Sequence, residues 1–296
     1  MNKIEIVRKW SIFTWERFPP YTYIPFLFLY FKAHIIFSLS RNNYSLFSFL
    51  ILYLATLIFF FKLRLYDEVK DFENDLKTYP DRPLSRGLLN HSSIYFGVFA
   101  CIIFELIVFA VFGSVGLSAI IIPVIYSLIM FKEFFVRKWI RSHLTLYAIT
   151  HTFVSSLFSL ALLSTVQSTS IWNLSFNSYL FALLSWCLFN IFEFGRKTFI
   201  SSEEKRNIDS YSKIYGRFGA ALLVISMAIC SLIILNYIQS NQLILLLVSV
   251  LIGSLGIISI LFIKLDHEPL GKVYRGISSA FIALVYLIFI ITNKIA

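Results

Sequence analysis

Charge is scarce in this sequence. Asp, Glu, Lys and Arg make up 14% of its 296 residues, against about 25% in an ordinary soluble domain, too few to clothe a soluble globule. Cysteine is nearly absent. Cys101, Cys187 and Cys230 all fall in apolar runs and make no CxxC, which argues against a disulfide framework or thiolate metal site and leaves them as small packing residues. The first twenty residues lack the clean apolar core of a signal peptide. Lys3, Arg8, Lys9, Glu16 and Arg17 alternate there with Ile, Trp and Phe. That pattern predicts an amphipathic segment over 1–20, lying at a membrane interface and ended by Pro19-Pro20. No soluble domain and no low-complexity tract interrupts the rest.

What the chain has in excess is apolar surface: 58% hydrophobic residues and a mean hydropathy of +0.78. Lipid is the solvent that accommodates it. Nine runs are long enough to cross a bilayer as helices: 22–40, 44–61, 92–112, 115–131, 144–166, 174–194, 218–238, 242–263 and 276–293. The expectation is a single all-α, polytopic membrane domain spanning 1–296. Short connections such as Ser40–Asn43 and Asn236–Asn241 join its helices.

The formal charge of +10 suggests nucleic acid in a soluble protein. In a membrane protein it follows from the concentration of Lys and Arg in cytoplasmic loops. Nearly all of the 26 Lys and Arg fall in the N-terminal segment and in the loops after the second, fourth, sixth and eighth spans. The opposite side receives Arg41 and Lys294, and Lys32 sits within the first span. This asymmetry places the N-terminus and those loops in the cytoplasm; a bacterial cytoplasmic membrane is the expected location, and nucleic acid is not an expected partner.

The two longest polar segments, 62–91 and 195–217, share that side. In the first, Asp67, Asp71 and Asp75 recur every four residues, with Glu68 beside them. On a helix continuing out of the second span these carboxylates share a face. Like charges on one face repel unless a cation sits among them. Mg²⁺ suits the arrangement, because it takes oxygen ligands and often binds through one or two carboxylates plus a substrate phosphate. Lys70, Lys77 and Arg82 are close enough in sequence to meet phosphates directly.

Tyr66 to Gly87, with its acidic ladder and Pro80-Asp81-Arg82-Pro83, resembles the first aspartate-rich motif of the UbiA superfamily of membrane prenyltransferases, NDxxDxxxD followed by a PxRP-type segment. Asp67 stands where that family has Asn and Glu68 where it has Asp; Asp71 and Asp75 match. Nine helices with acidic loops after the second and sixth are similar to that family over the whole chain. The specific motif covers about 25 residues.

The resemblance implies a UbiA-like bundle and Mg²⁺-dependent transfer of a prenyl group from a prenyl diphosphate to a hydrophobic or aromatic acceptor. Asp71 and Asp75 would hold the metal, Asp67 and Glu68 assisting. Lys70, Arg82, Lys132, Arg137 and Arg196 would bind the diphosphate. The second motif of the family, DxxxD, is missing. In its place Asn190, Glu193 and Lys197 recur on one helix face, followed by Glu203, Glu204 and Asp209. Lys197 can stand in for a metal as a point charge, or Glu193 with Glu203 or Glu204 can hold a second Mg²⁺. Two alternatives stay open, a UbiA-type terpene cyclase and a transporter. Lys32, His34, Glu105, His151 and Asn190 lie within spans, where ionisable groups face a cavity or a partner, and Lys32 with Glu105 are one candidate pair. Some of the 32 Phe would shield an allylic cation from water.

Overall fold

The computed structural model describes residues 3–38, 45–204, 209–239 and 241–295, the side chains of 294 and 295 excepted. The Ser40–Asn43 connection, part of the Asn236–Asn241 connection, Arg41, Lys205, Arg206 and the side chain of Lys294 lie outside the described residues. Those described form helices and connecting turns, without strands.

Helix α1 (Lys3–Arg17) is followed by α2 (Pro20–Ser38), α3 (Leu46–Lys70), α4 (Phe72–Thr78), α5 (His91–Ala110) and α6 (Gly113–Phe131). The chain continues through α7 (Arg137–Arg141), α8 (Leu144–Val166), α9 (Phe176–Arg196), α10 (Tyr211–Ile238), α11 (Gln242–Lys264) and α12 (Glu268–Ile295). Eight of these are long and apolar enough to cross a membrane by length and composition: α3, α5, α6, α8, α9, α10, α11 and α12. Helix α2, which carries Lys32 and His34, is the ninth predicted span. The chain is thus built as a multi-pass membrane protein.

Several spans start where a polar side chain can replace the missing carbonyl of the preceding turn. Ser45, Asn90, Ser175 and Ser210 cap α3, α5, α9 and α10 by accepting backbone N–H groups three residues on. Helix α10 breaks at Gly216, whose φ of 68° lies in the left-handed region glycine tolerates.

The helices close a ring in which α2 packs on α3, α3 on α5, α5 on α6 and α6 on α8. The circuit continues through α9, α10, α11 and α12 back to α2. Helix α9 lies deepest, touching α8, α10 and α12 together. It approaches α12 tightly at Gly195, where an added Cβ would stand 2.2 Å from the Cβ of Ser278. Helix α1 packs alongside through Phe13 and Trp10, which meet Phe61 of α3 edge-on or tilted. Ile4, Val7 and Trp15 on its other face are exposed.

Two expectations about buried charge change. Lys62, counted above with the loop after the second span, lies inside α3 and is fully buried. Its Nζ is 2.5 Å from Oε2 of the equally buried Glu105 on α5. Glu105 is therefore paired with Lys62, not Lys32, whose Nζ lies over the Phe49 ring at 5.2 Å. His34 is a satisfied core histidine, held by the Tyr30 carbonyl at 2.7 Å and the Ser159 hydroxyl at 2.6 Å.

Candidate functional site

Helix α3 keeps its 3.6-residue period through Lys70, so Arg64, Asp67, Lys70 and Asp71 emerge on one side of its end. Asp71, with φ −95° and ψ 0°, ends α3 and begins α4. The turn Pro80–Pro83 then folds Arg82 back onto α4. Facing this wall are the first turns of α8, with Tyr147, His151 and Thr152, and the last turn of α9, with Glu193, Arg196 and Lys197. The chain after α9 adds Glu203, Glu204 and Asp209. Together they line a cavity of about 820 Å³. Its inner wall is apolar, with Phe60, Met130, Val154 and Phe189 among the lining residues. The rings of Phe60 and Phe189 stack there at 5.5 Å between centroids.

The two segments singled out by sequence thus converge from α3–α4 and α9 on one cavity, although about 120 residues separate them. Asp67, Asp71, Asp75, Lys70, Arg82, Glu193, Arg196, Lys197 and Glu203 all line it. Glu68, Lys132 and Arg137 do not. Glu68 sits about 100° round the helix from Asp67, on the side that packs against α1. Glu68 turns inward and binds the Nε of Arg17. Lys132 sits over the Phe131 ring at 5.4 Å, and Arg137 pairs with Glu133 at 3.0 Å. Arg137 also reaches the Lys70 carbonyl at 3.5 Å and Glu73 at 3.7 Å, and Arg141 from the same loop comes closer to the cavity's acids. It donates to the Lys70 carbonyl at 3.0 Å and lies 3.6 Å from Asp71. Asn190 is buried between helices, donating to the Trp186 carbonyl and accepting from Thr152.

The carboxylates are not equivalent. Asp75 is gripped by Arg82 through both oxygens, at 2.5 and 2.6 Å. Glu203 is held by a bidentate Arg275 on α12, at 2.5 Å for each bond. That hydrogen bonding holds the Glu203 carboxyl below its ordinary range. Glu193 pairs with both Arg196 (2.6 Å) and Lys197 (2.9 Å). Glu204 accepts from the Ser210 and Ser212 hydroxyls.

Asp71 is the open carboxylate: it is 43% exposed and, among the described residues, its side chain has only the long contact to Arg141. Asp67 beside it is 39% exposed and pairs with Lys70 at 3.1 Å and Arg64 at 3.4 Å. Burial, and then the charge of Asp67, raise the Asp71 carboxyl above the ordinary aspartate range, with Lys70 and Arg141 offsetting only part. A carboxylate in that condition favours an added cation. Among the described residues no three His, Cys, Asp or Glu side chains gather into a metal-holding group. The donor set is no protein-only metal cage; it fits at most one Mg²⁺ on Asp71, with Asp67 drawn away from Lys70 and Arg64 and the remaining oxygens coming from a substrate phosphate. It does not fit a second ion on Glu193 and Glu203, whose oxygens are already committed to Arg and Lys.

Tyr147 lines the cavity without any signal in the sequence pattern, beside His151, expected within a span to face a cavity or a partner. Tyr147 stacks on His151 at 3.7 Å, and its hydroxyl accepts from Lys70 at 3.4 Å. His151 Nδ1 donates to the Tyr147 carbonyl at 2.6 Å, which leaves Nε2 without a hydrogen bond. Arg17 and Arg64 complete the basic lining. Above this wall Glu133, Phe134 and Phe135 take φ values of 50°, 54° and 58°, a left-handed run that L-residues adopt only under constraint. Glu133, bound by Arg137 and Arg141, supplies that constraint.

No family model and no curated protein matches the sequence. Solved structures do. A structure concerning digeranylgeranylglyceryl phosphate synthase in membranes superposes with a TM-score of 0.65 at 14% identity, covering 98% of this chain and 100% of that one. The apo structure of a UbiA homolog from Aeropyrum pernix K1 superposes with a TM-score of 0.57 at 14% identity, covering 91% of this chain and 95% of that one. At that identity the likeness is one of architecture: the chain has the UbiA fold.

Proposed function

We propose that this protein is a membrane prenyltransferase that ionises a prenyl diphosphate and passes the prenyl group to a hydrophobic acceptor. The observation that carries this reading is the joining of two chemistries in one cavity. A dense set of carboxylates, lysines and arginines lines its mouth, and aromatic and aliphatic side chains line its depth. Such a cavity suits a molecule with a polyanionic head and an apolar tail. The UbiA fold supports the same reading, because the first similar structure concerns digeranylgeranylglyceryl phosphate synthase.

In this mechanism Asp71, with Asp67 assisting, would hold Mg²⁺, which would supply positive charge to the diphosphate. Lys70, Arg196 and Lys197 meet the remaining phosphate oxygens. Their charge is fixed before the reaction, so it stabilises the leaving group as its charge develops without reorganisation. Lys197 and Arg196 take the place of a second metal. Asp75 acts through Arg82, holding the guanidinium at the rim. The tail runs inward along Phe60, Phe189 and Phe192, whose ring faces favour the allylic cation and exclude water. The C–O bond to diphosphate breaks, the acceptor's electron pair closes the new bond at that carbon, and the acceptor's proton leaves to the released diphosphate or to water. The acidic loops face the cytoplasm on this reading, in accord with the distribution of Lys and Arg.

The test is diphosphate release from geranyl, farnesyl and geranylgeranyl diphosphates by the full chain in detergent, with Mg²⁺ or EDTA, beside Asp67→Asn/Asp71→Asn. Release that needs Mg²⁺ and is lost in the variant is the expected result. The organic product then separates transfer to an acceptor from cyclisation. Folded protein that releases no diphosphate from any donor, across a broad acceptor panel, would overturn the proposal.

A further inference from the structure

The mechanism leaves one charged contact unused. Arg17 is the last residue of α1, and its side chain lines the cavity. Its Nε is bound by Glu68, the acid expected to be a metal ligand and found instead turned inward and 1% exposed.

Arg17 is not needed to hold α1 in place. Phe13 and Phe18 are buried and pack edge-on against Phe61. Arg86 binds both oxygens of Glu16 at 2.8 and 2.9 Å. Arg64 donates to the Arg17 carbonyl at 3.0 Å, through the backbone. These contacts fix the end of the helix whatever its last side chain does.

The guanidinium itself is only half satisfied. Nε is occupied by Glu68, and the two terminal nitrogens make no hydrogen bond among the described residues. Arg64 and Arg82 line the same cavity. Burial, and then the nearby charge of Arg64, make the protonated form of Arg17 harder to keep, with Glu68 opposing. Asp67 is shared by Lys70 and Arg64, and Asp75 is held by Arg82, so the nearby carboxylates are already matched to other cations and none is left for the terminal nitrogens of Arg17. A planar fork with free terminal nitrogens matches two oxygens of a phosphate group.

We propose that Arg17 is a diphosphate-binding residue delivered by the surface helix α1, with Glu68 as the positioning residue that aims it. The proposal rests on the prenyl diphosphate reading above and adds a wall to its anion seat. The site is then complete only while α1 is docked. The exposed Ile4, Val7 and Trp15 on the opposite face of that helix suit a membrane surface.

The experiment uses the full chain in detergent and inorganic pyrophosphate with Mg²⁺ as the probe, followed by calorimetry. Arg17→Gln is expected to weaken pyrophosphate binding roughly ten- to a hundredfold, the range for one charge-assisted contact. It should raise KM for the prenyl diphosphate by a similar factor, at a thermal midpoint close to that of the parent. Glu68→Gln is expected to weaken binding less, and to cost nothing further when Arg17 is already Gln. Folded Arg17→Gln protein with parental affinity and KM overturns the proposal, as does additivity of the two substitutions. If Arg17→Gln does not fold, Arg17→Lys decides: it keeps the charge beside Glu68 and loses the fork, so KM should rise several-fold, and an unchanged KM overturns the assignment. Loss of Arg17 alone leaves Mg²⁺-dependent diphosphate release measurable at high substrate. A parent protein that neither binds pyrophosphate nor releases it from any donor refutes the function itself, and this assignment with it.

Discussion

Removing one member of the Lys62–Glu105 pair should be among the most damaging single changes outside the cavity. Both side chains are fully buried, 2.5 Å apart, between α3 and α5. Oε1 of Glu105 has no hydrogen-bond partner, so Lys62 is its compensation. At about 4 Å between charge centres and an effective dielectric of about 20, the attraction is about 4 kcal/mol. Lys62→Met leaves a carboxylate uncompensated in the bilayer interior, and a cost of about 3–5 kcal/mol follows. Glu105→Leu should cost a similar amount by stranding the lysine. The double variant removes both charges and replaces them with apolar groups of similar reach, so it should return to within about 1 kcal/mol of the parent. The assay is reversible unfolding in mixed micelles for the four proteins, analysed as a double-mutant cycle. The double variant should also retain diphosphate release, because neither residue lines the cavity. A single-variant cost below about 1 kcal/mol, or additive costs in the double variant, would refute the reasoning.

Gly195→Ala forces α9 and α12 apart, because its Cβ would fall 2.2 Å from that of Ser278. A cost of about 1–3 kcal/mol and a raised KM from displacement of Arg196 and Lys197 should appear together, and Ser278→Gly should relieve both. Glu203→Gln should lower stability by about 2 kcal/mol at neutral pH by breaking the pair with Arg275. The Glu203 carboxyl lies below its unfolded value. Its contribution is therefore present above about pH 4.3 and is lost as pH falls through the lower folded value, so the variant should show a shallower acid limb in thermal midpoint against pH. Phe60→Ala with Phe189→Ala removes the stacked rings at the inner wall and should shift preference toward longer prenyl diphosphates. An unchanged ratio of kcat/KM between geranyl and geranylgeranyl donors would count against that depth of tail binding.

The sequence by itself determined how many long apolar helices there are and where their cores lie, because the length of an apolar run needed to cross lipid is set by bilayer thickness and helix rise alone; their ends it did not, since α3 runs on past residue 61 to Lys70 and α12 begins at Glu268. It also put Asp67 and Asp71 on one helix face, since that follows from local periodicity. Tertiary structure decided which charges answer which. Glu105 meets Lys62 across 43 residues of sequence, Glu203 meets Arg275 across 72, and Arg17 meets Glu68 across 51. No periodicity encodes such pairs; they arise when helix packing brings two buried charges close enough that separation would strand both. Glu68 and Asp67, neighbours in the chain, parted in role for the same reason. One turned to the packed side of α3 and the other to the cavity, and only the position of α1 fixed which side was which.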